Sequence, residues 1–294
     1  METLNFKIPA WHFPMLNDTE RNEKYEKAIR NIVKDKVVID LGSGSCLLSM
    51  IAVKYGAKKV YAIEQDQEIC FLAQKIITQN NLDNKISIIN KNLLQVNNTD
   101  IPVKADLVIT EIFDCELIGE GCLNSINIIK NFLKPLGKIL PNNGTIYSQV
   151  GESQSLRSKH ILINNRVLDF DISPFLPLRE IGAIECLRMY EPIHLVSNKV
   201  VLKKYNFNKN YDLLFKVNAK FNILKDSYLD YLALWFKITL SNSIVLENYP
   251  GSKLHWDQFL LFPDRVIKAK KGNTLYISLY IKNNMICSKD WILE

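Results

Sequence analysis

Glu111 and Glu120 stand nine residues apart in the segment TEIFDCELIGEG, Thr110 to Gly121, directly after the apolar run DLVIT. A segment leaving a sheet strand can fold back as a loop, bringing two such carboxylates into one pocket. Two acids with spare oxygens suit a planar, permanently charged guanidinium, whose donors form a fixed fork. The apolar neighbours Ile112, Phe113, Leu117 and Ile118 favour a structured pocket wall over an acidic surface loop. Upstream, Asp40, Gly42 and Gly44 lie in IDLGSGS, where an apolar strand meets a helix. Glycine there lets the backbone approach a ligand closely, and helix-end amides face a polar group. Glu64 ends the next strand, VYAIE, at a position from which an acid accepts hydrogen bonds from ribose hydroxyls. The tract lacks the third glycine of the dinucleotide fingerprint, which favours an adenosyl cofactor without a pyrophosphate. The chemistry implied is the delivery of a nucleoside cofactor to an arginine side chain.

These residues need an alternating framework to hold them. Asn17 followed by Glu20 reads as a helix start with a capping box, and Tyr25, Ala28, Ile29 and Ile32 continue it at helical spacing. The pattern then predicts strand 37–41, helix 47–55, strand 60–64, helix 68–79, strands 85–89 and 105–110, helix 123–132 and strand 144–150. Strands separated by helices imply a mostly parallel α/β sheet with crossovers on both faces. Beyond Val150 the segments 167–170, 200–204, 213–221, 231–240, 258–262 and 274–281 read mainly as strands between Asn-, Gly- and Lys-rich turns. Leu232, Leu234, Phe236 and Ile238 share one face of such a strand, so an antiparallel sheet or small barrel is expected. Residues 151–187 are less regular and read as an arm or a long connection.

Composition sets the class. The 294 residues are 47% hydrophobic and 23% charged, as in a soluble globular protein with a sizeable core. No apolar run approaches the roughly 18 residues of a membrane span. The start METLNFKIPAWHF has neither a basic region before an apolar stretch nor a small-residue cleavage site, so no secretory signal is expected. Cysteines 46, 70, 115, 122, 186 and 287 form no CxxC pair and read as reduced thiols of an intracellular protein. Cys115 and Cys122 stand apart because they fall in or beside the acidic loop. His12, His160, His194 and His255 are scattered, and no metal is expected. The net charge of +6 belongs to the second half, since residues 1–150 carry 17 basic and 17 acidic side chains. Its densest basic cluster is Lys268, Lys270 and Lys271, which reads as solvated surface more readily than as a nucleic-acid footprint.

Five segments in order, WHFPMLNDTERNEKYEKAI, VIDLGSGSCLLSM, VYAIE, TEIFDCELIGEG and LHWDQF, resemble the protein arginine methyltransferase family. The resemblance runs from Trp11 to about Ile281. The first segment is similar to the ninth mammalian member and the fourth to the seventh. It implies a Rossmann-like S-adenosylmethionine-dependent methyltransferase domain followed by an antiparallel β-barrel-like domain with a dimerisation arm. The corresponding division is a cofactor-lid and helical segment 1–35, a cofactor domain 36–143 and a substrate domain 144–294, with the arm at 151–187.

The resemblance assigns S-adenosylmethionine, with S-adenosylhomocysteine as product, to the crevice of Asp40, Gly42 and Gly44. It implies that Arg21 grips the cofactor carboxylate, Glu64 its ribose, and Met15 lies near the reacting methyl. Leu93 and Leu94 stand where relatives often place an acid for the adenine amine. Glu111 and Glu120 are implied as the guanidinium clamp, and His255 and Trp256 as the loop beside it, with His255 paired to an acid such as Asp18. His12 can also reach the site, although Pro9 and Pro14 are expected to interrupt a helix there. Phe113 replaces a methionine of the asymmetric-dimethylating branch, which favours monomethylarginine, with symmetric dimethylation inherited from the ninth-member likeness. Asp114 and Glu116 would recruit basic substrates or face solvent.

The implied substrates are arginine-containing proteins such as histones or arginine/glycine-rich RNA-binding proteins, in cytosol or nucleus. A homodimer is expected; Leu156, Phe170, Phe175 and Leu176 either supply apolar arm contacts or cap the barrel locally. Two competing readings are an RNA or small-molecule methyltransferase, which leaves both loops unexplained, and a noncatalytic binding or scaffold member of the family.

Overall fold

A computed structural model describes residue 9 and residues 11–178 and 181–294. Residues 1–8 and 10 of the expected lid, Phe6 among them, and residues 179 and 180 of the expected arm lie outside the described residues.

The chain enters through two short helices, α1 (His12–Asn17) and α2 (Thr19–Arg30). Pro14 does not interrupt α1, because it sits in the first turn, where its missing N–H has no intrahelical partner to lose. The cap of α2 is Asp18 rather than the expected Asn17: its carboxylate accepts from the Arg21 amide at 2.9 Å. Tyr25, Ala28 and Ile29 form the buried stripe of α2. Full burial of a side chain such as Ile29 contributes about 1.5–3 kcal/mol.

Alternation follows as expected: β1 (Val37–Leu41), α3 (Leu47–Lys54), β2 (Lys59–Glu64), α4 (Gln67–Gln79), β3 (Ile86–Asn90), β4 (Ala105–Thr110), α5 (Cys122–Ile129) and β5 (Leu133–Leu140). The five strands form one parallel sheet in the order β3-β2-β1-β4-β5. β1 and β4 are central and β1, β2 and β4 end at the glycine-rich turn, Glu64 and Glu111 respectively, so one sheet rim collects all three. β5 escaped the sequence pattern because LKPLGKIL contains Pro135 and Gly137; proline is tolerated there because the strand is an edge.

The second half is antiparallel. Its elements are β6 (Asn143–Glu152), α6 (Gln154–His160), β7 (Arg166–Val167), β8 (Phe170–Asp171), β9 (Gly182–Glu185), β10 (His194–Leu195), β11 (Val200–Asn206), β12 (Lys216–Asn222), β13 (Ser227–Tyr228), β14 (Tyr231–Ser241), β15 (Ile244–Glu247), β16 (Gln258–Leu261), β17 (Lys268–Ala269), β18 (Thr274–Lys282) and β19 (Met285–Leu293). A seven-stranded sheet runs β10-β6-β14-β16-β9, with β11 also on β6 and β15 on β14; β12-β18-β19 form a three-stranded sheet. The expected strand 167–170 is instead a tight hairpin of β7 and β8, turned at Leu168 with φ +54°. The expected strand 213–221 starts only at Lys216, after exposed Leu213 and Leu214.

One continuous apolar core joins both halves, and α2 packs on α3 on one side and on β14 and β15 on the other. That helix therefore sets the spacing between the parallel sheet and the antiparallel half. For Leu156 the local alternative holds: it is fully buried in a small core with Leu187, Tyr231 and Phe262. Ile163, Leu168, Phe170 and Phe175 of the arm segment are exposed.

Candidate active site

The parallel-sheet rim and the antiparallel half enclose a cavity of about 770 Å³. Met15, Gly42, Gly44, Glu64, Leu93 and Leu94 line it on one side, and Glu111, Phe113, Glu120, His255 and Trp256 on the other. The sequence-predicted residues therefore meet around one space, with two exceptions. Asp40 does not line it: the carboxyl is buried, accepts from Ser49 Oγ at 2.7 Å, and is pushed up to about 6 by desolvation. Its role is to tie the end of β1 to α3 behind the glycine turn. Arg21 also lies behind the wall, with its guanidinium ion-paired to Glu111 and its Nη1 on Asn22 Oδ1 at 2.8 Å. Both partners of that pair are at least 95% buried at the side chain, so each neutralises a charge that would be costly alone.

The glycine turn is shaped by contact as well as by dihedral. Gly42 has φ +70°, and a Cβ there would lie 2.2 Å from Ile112 Cγ2. The first residue after Glu111 is thus pressed on the turn, and any side chain at 42 would push clamp and crevice apart. Glu64 accepts from the amides of Gly44 and Asp66, each at 3.0 Å, which fixes its carboxylate at the rim while leaving acceptor capacity. His12 lines the cavity and stacks on Trp11; its Nε2 is buried without a hydrogen-bond partner among the described residues. Desolvation lowers its pKa against the opposing pull of Glu64 and Asp66, which keeps the ring neutral. The turn, the ribose-position acid and the apolar wall of Leu93 and Leu94 fit a nucleoside cofactor.

The two acids of the clamp differ. Glu111 Oε2 is engaged by Arg21, and Oε1 carries no hydrogen bond among the described residues. Glu120 sits at φ +51°, a left-handed conformation that costs a non-glycine residue about 1–2 kcal/mol, and is exposed. Its pKa is raised, first by desolvation against the cavity wall and then by the negative charges of Glu111 and Glu64.

The antiparallel half holds this loop at three points. Trp256 Nε1 donates to the Phe113 carbonyl at 2.9 Å, and Asn248 Nδ2 to the Cys115 carbonyl at 3.1 Å. Both carboxylate oxygens of Glu116 accept from the Ile286 amide at 3.1 Å. Glu116 is only 2% exposed, so it neither recruits substrate nor faces solvent, contrary to expectation. Phe113 is likewise packed, against Phe207 and Phe236, with one side on the cavity. Cys115 also borders the cavity, but burial pushes its thiol up to about 12; Cys122 is fully buried with Sγ on the Leu117 carbonyl. Neither is a thiolate nucleophile at neutral pH. His255 pairs with Asp18, Nδ1 to Oδ2 at 2.9 Å, and its amide donates to the same oxygen at 2.8 Å.

Asn248, Asn124, Ser125, Ile128 and Ile184 went unread in the sequence. The last four line the cavity, whereas Asn248 is wholly buried behind it. None lies in a motif, and they reach the site only through strand pairing and the position of α5. Among the described residues no group of three or more His, Cys, Asp and Glu side chains can hold a metal ion, and no helix is long and apolar enough to cross a membrane.

Known proteins share this architecture. Residues 142–292 match the family model for the arginine methyltransferase oligomerization subdomain, and residues 23–150 the model for ribosomal protein L11 methyltransferase (PrmA). Arginine N(omega)-methyltransferase of Streptomyces achromogenes subsp. streptozoticus is 29% identical over 279 residues, 92% of this chain and 76% of that protein. Protein arginine N-methyltransferase 1 of Dictyostelium discoideum is 30% identical over 277 residues, 90% of this chain and 79% of the relative. In structure, the Trypanosoma brucei PRMT1 enzyme-prozyme heterotetrameric complex with AdoHcy superposes with a TM-score of 0.82 at 24% identity, covering 92% of this chain and 87% of that one. With a relative 30% identical across nine-tenths of its length and the oligomerization-subdomain model matching more than half of it, the chain belongs to the protein arginine N-methyltransferase family.

Proposed function

We propose that this protein transfers a methyl group from S-adenosylmethionine to a guanidinium nitrogen of protein arginine, with monomethylarginine as the first product. The observation that carries this reading is the meeting in one cavity of the Gly42–Gly44–Glu64 rim with the Glu111–Glu120 pair. Gly42, Gly44, Glu64, Met15, Leu93 and Leu94 would hold the cofactor, which when bound supplies an electrophilic methyl group.

The chain's own residues supply orientation and proton handling. Arg21 holds Glu111 in place through their ion pair, so its free Oε1 faces the substrate at little entropic cost. Glu120 completes the clamp from the exposed side, and a plane fixed at two edges aims one nitrogen at the methyl position. The attacking nitrogen gains a carbon and loses a proton, and Glu120, whose pKa is raised, is the group placed to accept it. His255, held by Asp18, steadies Trp256 and through it the Phe113 carbonyl; it acts on position rather than on the proton. Phe113, wedged between Phe207 and Phe236, leaves a rigid wall that disfavours a second methyl on the same nitrogen.

The division at residues 1–35, 36–143 and 144–294 belongs to this proposal, as do the likeness to the seventh and ninth members, symmetric dimethylation as a further product, and a cytosolic or nuclear location. So does a homodimer, for which the exposed Phe170, Phe175, Leu168 and Ile163 of the arm segment are the candidate contacts.

The test is fragment mass spectrometry after incubation with labelled S-adenosylmethionine and an arginine/glycine-rich peptide, with free arginine as a second acceptor. The expected result is labelled monomethylarginine within the peptide, absent with Glu120→Gln. Transfer to free arginine alone would move the substrate class to small molecules. Cofactor binding without transfer to either, across histone and RNA-binding-protein substrates, would favour the noncatalytic reading.

A further inference from the structure

The edge strand β9 borders the candidate active site through Ile184. It ends the seven-stranded sheet, pairing with β16 on one side, and no strand among the described residues pairs with its other edge. β16 begins at Gln258, two residues after Trp256, so β9 runs one strand spacing, about 4.8 Å, from the continuation of the His255–Trp256 segment.

The register shows which backbone groups are free. The Phe262 amide donates to the Ile181 carbonyl at 3.0 Å, and the pairing continues without a bulge from Gly182↔Leu261 to Glu185↔Gln258. Antiparallel pairs alternate between bonded and non-bonded positions. Ala183 and Glu185 therefore face β16, and the N–H and C=O groups of Gly182 and Ile184 point to the open edge. Ile184 is 59% exposed, and its side chain lines the same cavity as Glu111 and Glu120. Glu185, on the opposite face, is held by His160 Nε2 at 2.8 Å and the Tyr190 hydroxyl at 2.9 Å, which fixes the strand's orientation.

We infer that β9 is the docking edge for the substrate, an extended arginine-bearing segment that pairs with Gly182 and Ile184 as an added strand while its arginine enters the clamp. This rests on the proposed function. A guanidinium clamp admits an arginine side chain, so the backbone carrying it lies at the cavity mouth, and a free edge there offers it paired hydrogen bonds. Recognition through main-chain groups needs only arginine at one position and small or extended neighbours, with side chains alternating toward and away from Ile184. A folded arginine-bearing surface would not fit that edge.

The test uses a glycine-rich peptide with one arginine and a series in which each backbone nitrogen in turn carries a methyl group. The expected result is a KM increase of about tenfold at alternate positions, with little change at those between. Hydrogen exchange on the protein should show the Gly182 and Ile184 amides unprotected alone and protected with peptide and S-adenosylhomocysteine. Ile184→Pro, tolerated at an edge, should raise the peptide KM, whereas Ile184→Val, which keeps the N–H, should leave it near the parent value; an equal rise in both would overturn strand addition. Peptide methylation without that alternation, or amides already protected without peptide, would overturn strand addition and leave the methyltransferase reading standing. No transfer to any arginine acceptor would overturn both.

Discussion

One carboxylate oxygen, Asp18 Oδ2, accepts both the backbone amide and the Nδ1 of His255, while Oδ1 of the same group caps α2. The start of the helix carrying Arg21 and the segment carrying Trp256 are thus fixed to one side chain across 237 residues of sequence. Burial alone would raise the Asp18 pKa, but the His255 side-chain bond and the two amide bonds outweigh it and hold it below the usual range. A depressed carboxyl contributes stability above its unfolded pKa, so this contribution is lost as pH falls below about 3.8.

Asp18→Ala should destabilise the fold by about 1–3 kcal/mol, through the cap and the orphaned histidine. It should also lower turnover more than cofactor affinity. Denaturant titration and isothermal titration with S-adenosylhomocysteine read the two separately. Unchanged turnover with the expected loss of stability would confine Asp18 to a structural role.

The two clamp acids should separate by stability. Glu111→Gln leaves the buried Arg21 without its counter-ion and should cost about 3–5 kcal/mol, as one-sided removal of a buried pair does. Glu120→Gln, at an exposed position, should stay within about 0.5 kcal/mol of the parent. Both should lose methylation. Equal stability of the two variants would show that Arg21 does not depend on Glu111.

Glu116 predicts an alkaline weakness. Desolvation first, then the neighbouring Asp114, pushes its carboxyl from an ordinary 4.5 up to about 9. A raised acid is bound to its proton in the folded state and not in the unfolded one across that window. Stability therefore falls as pH rises from about 4.5 toward 9, by at most about 1.4 kcal/mol per pH unit. Glu116→Gln keeps an acceptor for the Ile286 amide and should flatten this slope. A stability difference between the two proteins that is constant with pH would count against the assignment.

Asn248 should matter to chemistry without touching substrate. Its Nδ2 donates to the carbonyls of Cys115 and Asp257, and its Oδ1 accepts from the Phe236 amide at 2.7 Å. Asn248→Asp turns both donors into an acceptor facing two carbonyls, leaving them unpaired at about 1–3 kcal/mol each. Turnover should drop and the ratio of mono- to dimethylated product shift, with cofactor affinity retained. If product ratio and turnover stay at parent values, the loop is held well enough by Trp256 and Glu116.

The alternation of the first half was legible because each strand is a short apolar run and each helix a periodic one. β5 was not, since Pro135 and Gly137 break any period and only its edge position makes it a strand. The arm hairpin failed for a similar reason: Val167 and Phe170 read as one strand until Leu168 takes a positive φ. Among site residues, Glu111, Gly42, Gly44 and Glu64 announced themselves by sitting at or just past strand ends, and Glu120 by its spacing from Glu111 in one loop. Asn248 and Ile184 gave no signal, because an asparagine or isoleucine means nothing until its strand's neighbours are known.

By itself, the sequence determined the parallel and antiparallel halves, the rim of glycines and acids, and the pairing of two glutamates in one loop. These follow from local periodicity and from spacings shorter than a single turn-and-strand unit. Tertiary structure alone decided that Arg21 serves Glu111 from behind the wall, that Asp40 and Glu116 are buried supports, and that β9 offers its edge at the cavity. Each of those depends on which distant backbone comes within hydrogen-bond reach, a property of packing that no local window of residues encodes.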